Sequence, residues 1–225
     1  TGLLLPVREI AALARQHDLW FHIDGAQSAG MIPVNLAEIG CDSYAISGHK
    51  WLGGPHETGV LFLRRSKIDL IAPTGIGAHS GELTFLPGAL VYSAAASRHE
   101  YGTRNAASIV ALGEAIRLQE EIGRERIAQH GHALATSVIA ACEGFRGIQL
   151  LTPKDPRMRG SMATFHHERA DASTFFSYLR KQHSLRCRPV TEQGLEAVRI
   201  SFHVFNSTAD ATRVAAALHA AATDL

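Results

Sequence analysis

Leu19-Trp20-Phe21-His22-Ile23-Asp24-Gly25-Ala26-Gln27 is a short, mostly apolar run that ends on a carboxylate. A run of this kind suits a strand buried on both faces of an α/β sheet. A carboxylate at the end of a buried strand is costly unless it meets a cation or hydrogen-bond donors. Asp24-Gly25 is also a common turn pair, so taken alone Asp24 reads equally as a turn residue. Upstream, Pro6 sits as the first residue of a helix that carries Ile10, Leu13 and Ala14 on one face and ends near His17-Asp18. Downstream, the pattern predicts a short helix over Leu36 to Ile39 and strands over Ser43 to Ser47 and Gly59 to Leu63. Strand, helix and strand in this order imply an α/β layer with functional groups at the strand ends.

The second informative stretch is Ser47-Gly48-His49-Lys50-Trp51-Leu52-Gly53-Gly54-Pro55. Lys50 follows a predicted strand and lies among glycines and aromatics. A lysine there is expected to be partly desolvated, which makes its amine a nucleophile toward a carbonyl. Composition alone also allows an exposed turn lysine. Read together, two strand ends of one layer place Asp24 and Lys50 on one rim. An aldehyde cofactor with a pyridine ring needs those two groups, a lysine for the Schiff base and a carboxylate to keep the ring nitrogen protonated. Gln27 is a candidate hydrogen-bond partner of the ring hydroxyl, and Ser47 and His49 offer donors to a phosphate.

Asp24-Gly25-Ala26-Gln27-Ser28-Ala29-Gly30, Ser47-Gly48-His49-Lys50-Trp51 and Gly59-Val60-Leu61-Phe62-Leu63 together resemble the class V aminotransferase family. The resemblance implies fold type I, pyridoxal 5'-phosphate as cofactor, and catalysis by Lys50 and Asp24. Glu100-Tyr101-Gly102-Thr103-Arg104-Asn105 resembles the family's Gly-Thr segment, which implies that Thr103 reaches the phosphate of a neighbouring subunit's cofactor in a homodimer with shared active sites. Locally, Thr103 is equally a helix cap ahead of Ala106. Val198-Arg199-Ile200-Ser201, followed by Asn206-Ser207-Thr208, resembles the family's substrate-carboxylate strand, with Arg199 as the clamp and Arg188 as the second candidate. Strand alternation carries Arg199 away from Val198, Ile200 and Phe202, and a solvated edge arginine is the alternative. Family members that are cysteine desulfurases carry a nucleophilic cysteine shortly after the position of Arg188. Pro189-Val190-Thr191-Glu192-Gln193 has none, and Cys187 precedes the arginine, which argues against persulfide chemistry at a standard cysteine; the Trp51-Leu52-Gly53-Gly54-Pro55 ending and the Glu100-to-Asn105 form most resemble the epimerase and selenocysteine-lyase-like members.

The rest of the chain fits this frame. Leu70 to Arg104 is irregular, with Pro73, Gly75, Gly77, Gly81 and Pro87, and a loop of this length points to function. A helix is expected from Ala106 to about Ile127, with Ile109, Leu112, Ile116 and Leu118 on its apolar side, and another from roughly Gln129 to Cys142. Beyond Gly144 come predicted strands at Met162 to Phe165, Leu185 to Arg188 and Ala197 to Phe202, and helices at Ala172 to Gln182 and Ala209 to Ala222. The expected organisation is therefore part of a cofactor-binding large domain over 1–130, with a parallel-type sheet, and a small α+β domain over 131–225.

Bulk properties bound the partners. Of 225 residues, 46% are hydrophobic and 19% charged, enough for a packed core. Lys plus Arg is 22 against 21 Asp plus Glu, a formal charge of +1, which does not favour nucleic acid or an anionic membrane. Three dispersed cysteines make no disulfide framework or zinc motif, and the cytoplasm is the expected compartment. Asn206-Ser207-Thr208 fits a glycosylation sequon and is read as chance. The chain opens on Thr1, which suggests an interior start and a fragment without the family's upstream phosphate loop. Gly75-Ile76-Gly77-Ala78-His79-Ser80-Gly81 misses the dinucleotide spacing and follows no strand. His130-Gly131-His132 and His166-His167 are weak metal candidates, and no metal is expected.

Two functions from different classes follow. The first is a pyridoxal-phosphate-dependent enzyme acting on an amino acid, as an epimerase, lyase or aminotransferase. The second is a truncated, non-catalytic member that serves as an interaction or dimerisation protein. A nucleotide-binding α/β protein in which Asp24 reads a ribose is a third, and it lacks a phosphate loop.

Overall fold

The computed structural model describes residues 1–84 and 88–225, so Pro87 lies outside the described residues. The chain forms two compact units, one from residues 6–30 and 34–121 and the other from 1–5, 31–33 and 122–225.

In the first unit, helix α1 (Val7–Gln16) is followed by strand β1 (His22–Asp24), helix α2 (Leu36–Ile39) and strands β2 (Ser43–Ser47) and β3 (Gly59–Leu63). The sheet has the order β1-β2-β3, with β1 parallel to β2 and β3 antiparallel to it. It is a mixed sheet whose β1–β2 pair has the parallel sense expected of an α/β layer. The short α2 forms because Asn35 caps it, accepting from the amides of Ala37 at 3.1 Å and Glu38 at 3.4 Å. Ile39, Cys41 and Tyr44 make a small core with Val7, Phe21, Ile23 and Phe62 packed against it.

Burial departs from the sequence reading here. Strand β1 is an edge strand of only three residues, and its ends are exposed rather than buried on both faces. Helix α1 turns Ala11 and Ala14 inward and leaves Ile10 and Leu13 open. The irregular stretch contains a hairpin, β4 (Gly81–Thr84) with β5 (Ala89–Tyr92). Helix α3 (Ala106–Ile122) buries Leu112 and Gln119 but exposes Ile109, Val110 and Leu118.

The second unit holds α4 (Arg124–Ala141), β6 (Ile148–Leu150), β7 (Met162–His167), α5 (Ala172–His183), β8 (Arg188–Val190), β9 (Ala197–Ser201) and α6 (Thr208–Asp224). The expected continuous helix to Ile127 is broken at Gly123, whose φ of +98° only glycine adopts at low cost. Strand β8 starts three residues later than the pattern suggests. The reason is Ser184, which leaves α5 in a left-handed conformation, with the Leu185 amide turned back to the Leu179 carbonyl at 3.1 Å. The sheet is antiparallel throughout, in the order β6-β7-β9-β8. Phe165, Val198, Ile200 and Phe202 share one core with Leu134, Val138, Phe175, Leu179, Val214 and Leu218 from the three helices. That burial is what stabilises the unit.

Candidate functional site

The parallel pairing of β1 with β2 sets His22 opposite Ser43, Ile23 opposite Tyr44 and Asp24 opposite Ala45. Both strands therefore leave the sheet on the same edge. Asp24 ends β1, Ser47 ends β2, and Lys50 lies in the turn that follows. The ladder continues one step through the Gly25 amide, which donates to the Ala45 carbonyl at 2.8 Å. The Lys50 turn is closed by Gly54 N–H to the Gly48 carbonyl at 2.8 Å and by Gly53 N–H to the Lys50 carbonyl at 3.0 Å.

The two loops are fastened to each other. The Trp51 indole N–H donates to Gln27 Oε1 at 2.9 Å. Gly30 has φ +90°, and a Cβ there would stand 2.5 Å from the Trp51 carbonyl carbon. The backbone of the Lys50 segment thus lies directly on the Asp24 segment. Gln119, from α3, donates to the Trp51 carbonyl at 2.5 Å. Beneath Asp24, the Tyr44 ring fills the space where a Gly25 side chain would be, and its hydroxyl meets Ser28 Oγ at 2.6 Å. Burial pushes the Tyr44 phenol above its usual range, its Ser28 hydrogen bond opposes that, and the Asp24 charge adds to it. Sequence reasoning assigned Tyr44 and Trp51 no part in holding this rim. Their signal was present only as aromatic residues next to strand ends.

Each expected residue has a defined place. Asp24 is exposed, and its Oδ1 accepts from the Ala26 amide at 3.0 Å, so it also serves the turn. Gln27 accepts through Oε1 and keeps its NH2 group as a donor. Ser47 is half-buried, and His49 is exposed with its ring stacked on His56 at 5.8 Å. Lys50 is exposed, so the desolvation expected from its aromatic and glycine neighbours is not supplied by this arrangement. Thr103 is exposed, and the cap ahead of Ala106 is Asn105, whose side chain accepts from the Ser108 amide at 3.2 Å. A local capping role for Thr103 is therefore removed.

Arg199 and Arg188 belong to the other unit. Arg199 is half-buried on β9 and stands opposite Thr164 on β7 and Arg188 on β8. Burial, and next the Arg188 charge, hold its guanidinium below the usual arginine range. Arg188 is exposed and paired with Glu192. The three thiols are all pushed upward by burial, Cys187 to about 11 and Cys142 to about 12. His130, His132 and His166 bond backbone groups. His130 meets the Asn206 carbonyl at 2.8 Å, His132 the Pro156 carbonyl at 3.0 Å and His166 the Glu196 carbonyl at 2.8 Å. Among the described residues no group of three or more His, Cys, Asp or Glu side chains is arranged to hold a metal ion. No helix among them is long and apolar enough to cross a membrane.

A family model for aminotransferase class V matches residues 1–214. The chain belongs to the class V aminotransferase family. It is 33% identical over 169 residues to a probable cysteine desulfurase of Halalkalibacterium halodurans, covering 74% of this chain and 40% of that protein. It is 30% identical over 239 residues to the isopenicillin N epimerase of Amycolatopsis lactamdurans, covering 97% and 56%. The apo structure of a cysteine desulfurase from Thermococcus onnurineus NA1 superposes with a TM-score of 0.90 at 28% identity, covering 100% of this chain and 57% of that one. The fold is accordingly that of the fold type I members of the class V family, and the chain spans about half the length of the relatives it matches.

Proposed function

We propose that the chain is the lysine-bearing part of a pyridoxal-phosphate-dependent enzyme that acts on an amino acid by epimerase, lyase or aminotransferase chemistry. The observation that carries this reading is the parallel β1–β2 register, which brings Asp24 and the Ser47–Lys50 turn to one edge, with Gln27 and Trp51 joining the two loops. The groups on that edge fit the cofactor by kind. Lys50 is the amine for an aldehyde, Asp24 the carboxylate for a pyridinium, Gln27 an amide donor for a ring oxygen, and Ser47 and His49 donors for a phosphate. When bound, the cofactor supplies an electron-accepting ring that stabilises negative charge developing at the substrate Cα.

The protein's own work is then positional and acid–base. Asp24 would keep a positive charge on the ring nitrogen of the bound cofactor. Lys50, as a free amine, takes the Cα proton and returns it. Arg199 fixes the substrate carboxylate, with Arg188 beside it. Thr103, exposed and unneeded as a cap, serves the phosphate site of a second copy in a homodimer. Burial raises the Cys187 thiol to about 11, which disfavours the thiolate at that position.

The test is exchange of the substrate Cα proton in D2O, followed by NMR across a panel of amino acids with added pyridoxal phosphate. The expected result is exchange with at least one amino acid, lost by at least 100-fold in Lys50→Ala, and a raised KM in Arg199→Gln. Exchange that survives Lys50→Ala contradicts the proposal.

A further inference from the structure

Three polar side chains line up across the second unit's sheet on the face opposite its core. Thr164 on β7 is paired with Arg199 on β9, which is paired in turn with Arg188 on β8. Directly paired antiparallel residues project to the same face with Cβ atoms roughly 5 Å apart, and like charges so placed repel. The neighbours Val198 and Ile200 take the core face, so the two guanidinium groups lie on the opposite face, where the Thr1 ammonium also interacts with both.

The row is incompletely satisfied. Thr164 is fully buried with no partner for its Oγ1, and Arg199 Nε is buried without one. Buried polar atoms of this kind destabilise a fold unless something meets them. Glu192 pairs with Arg188, and both side chains are about half exposed, so a carboxylate already occupies the outer end and is free to exchange. The inner end, at Arg199 and Thr164, has donors and no carboxylate bonded to Arg199 Nε. Two cations in direct opposition, with the paired carboxylate at the outer end, favour a second negative charge at the inner end.

We propose that this row recognises a diacid: the amino-acid substrate carries an acidic side chain, its α-carboxylate bound by Arg199 and its second carboxylate taken by Arg188 in place of Glu192. This inference rests on Arg199 being the substrate-carboxylate residue. It assigns Arg188 and Glu192 as specificity-determining residues, with Glu192 acting as an internal competitor for the side-chain acid.

The test is calorimetric binding of succinate against butyrate, which has the same number of carbons and one carboxylate, and it requires no turnover. Succinate is expected to bind at least tenfold more tightly. Arg188→Gln should reduce that preference to near unity, and Glu192→Gln should tighten succinate several-fold. Arg199→Gln should weaken both acids, with circular dichroism confirming that each variant is folded. Equal binding of the two acids, both dependent on Arg199, overturns the diacid inference and leaves the carboxylate role of Arg199 standing. A succinate preference that persists in Arg188→Gln also overturns it. Binding insensitive to Arg199→Gln, or no binding of either acid, contradicts the carboxylate role itself.

Discussion

Gly30 and Trp51 hold the two site loops together, and each can be tested alone. An alanine at 30 would need φ near +90° and would place its Cβ 2.5 Å from backbone, so Gly30→Ala is expected to cost about 1–3 kcal/mol in urea unfolding. Trp51→Phe removes the donor to Gln27 Oε1 and should lower stability by about 1 kcal/mol while weakening cofactor binding measured by absorbance. Arg98, which no sequence pattern marked, is buried and donates to the Ser93 carbonyl at 2.6 Å and to Asp69 at 2.7 Å. Asp69 is largely exposed, so their ion pair contributes little. The carbonyl left bare in Arg98→Met should still cost about 1–3 kcal/mol by the same assay. The positions of Asp24 and Lys50 at or just beyond strand ends were legible because strand ends are marked by turn residues. The exposure of Lys50 was not, because burial depends on which segments cover a turn.

At the scale of elements, helices with strong caps were the most legible and strands of three or four residues the least. Helix α6 begins at Ser207, whose Oγ accepts from the Asp210 amide at 3.2 Å while Asp210 accepts from the Ser207 amide at 2.8 Å. Ser207→Ala should therefore lower stability by about 1 kcal/mol, read from the shift of the denaturation midpoint. The hairpin of β4 and β5 and the short β6 escaped the pattern, because three or four residues display too little alternation to stand out. On β7, His167 accepts at Nδ1 from the amides of Arg169 at 3.1 Å and Ala170 at 3.0 Å, which requires the neutral ring in the folded state. Burial, its largest influence, lowers its pKa below the usual 6.5. The unfolded chain thus binds the proton more readily. The stabilisation is complete above the unfolded value and is lost as pH falls from there through the folded one. Melting temperature should drop on acidification below about pH 6.5, and His167→Asn should flatten that part of the curve.

The molecule as a whole carries more open apolar surface on its first unit than the sequence pattern implied. Leu19 is 60% exposed, Ile109 58% and Val110 67%, although each sits in a stretch read as core-facing or apolar-sided. Periodicity reveals that a face is apolar and says nothing of what covers it. The chain spans about half the length of its relatives, and the proposed homodimer offers one kind of cover. Sedimentation should give twice the chain mass; a monomer at micromolar concentration would contradict the shared-site role of Thr103. The account depends most on Lys50 being the residue that holds the cofactor, with Asp24 beside it. Borohydride reduction of the protein with pyridoxal phosphate, followed by peptide mass mapping, should place the label on Lys50 and show it reduced at that peptide in Asp24→Asn. A label on Lys67, Lys154 or Lys181 with Lys50 unmodified would contradict it.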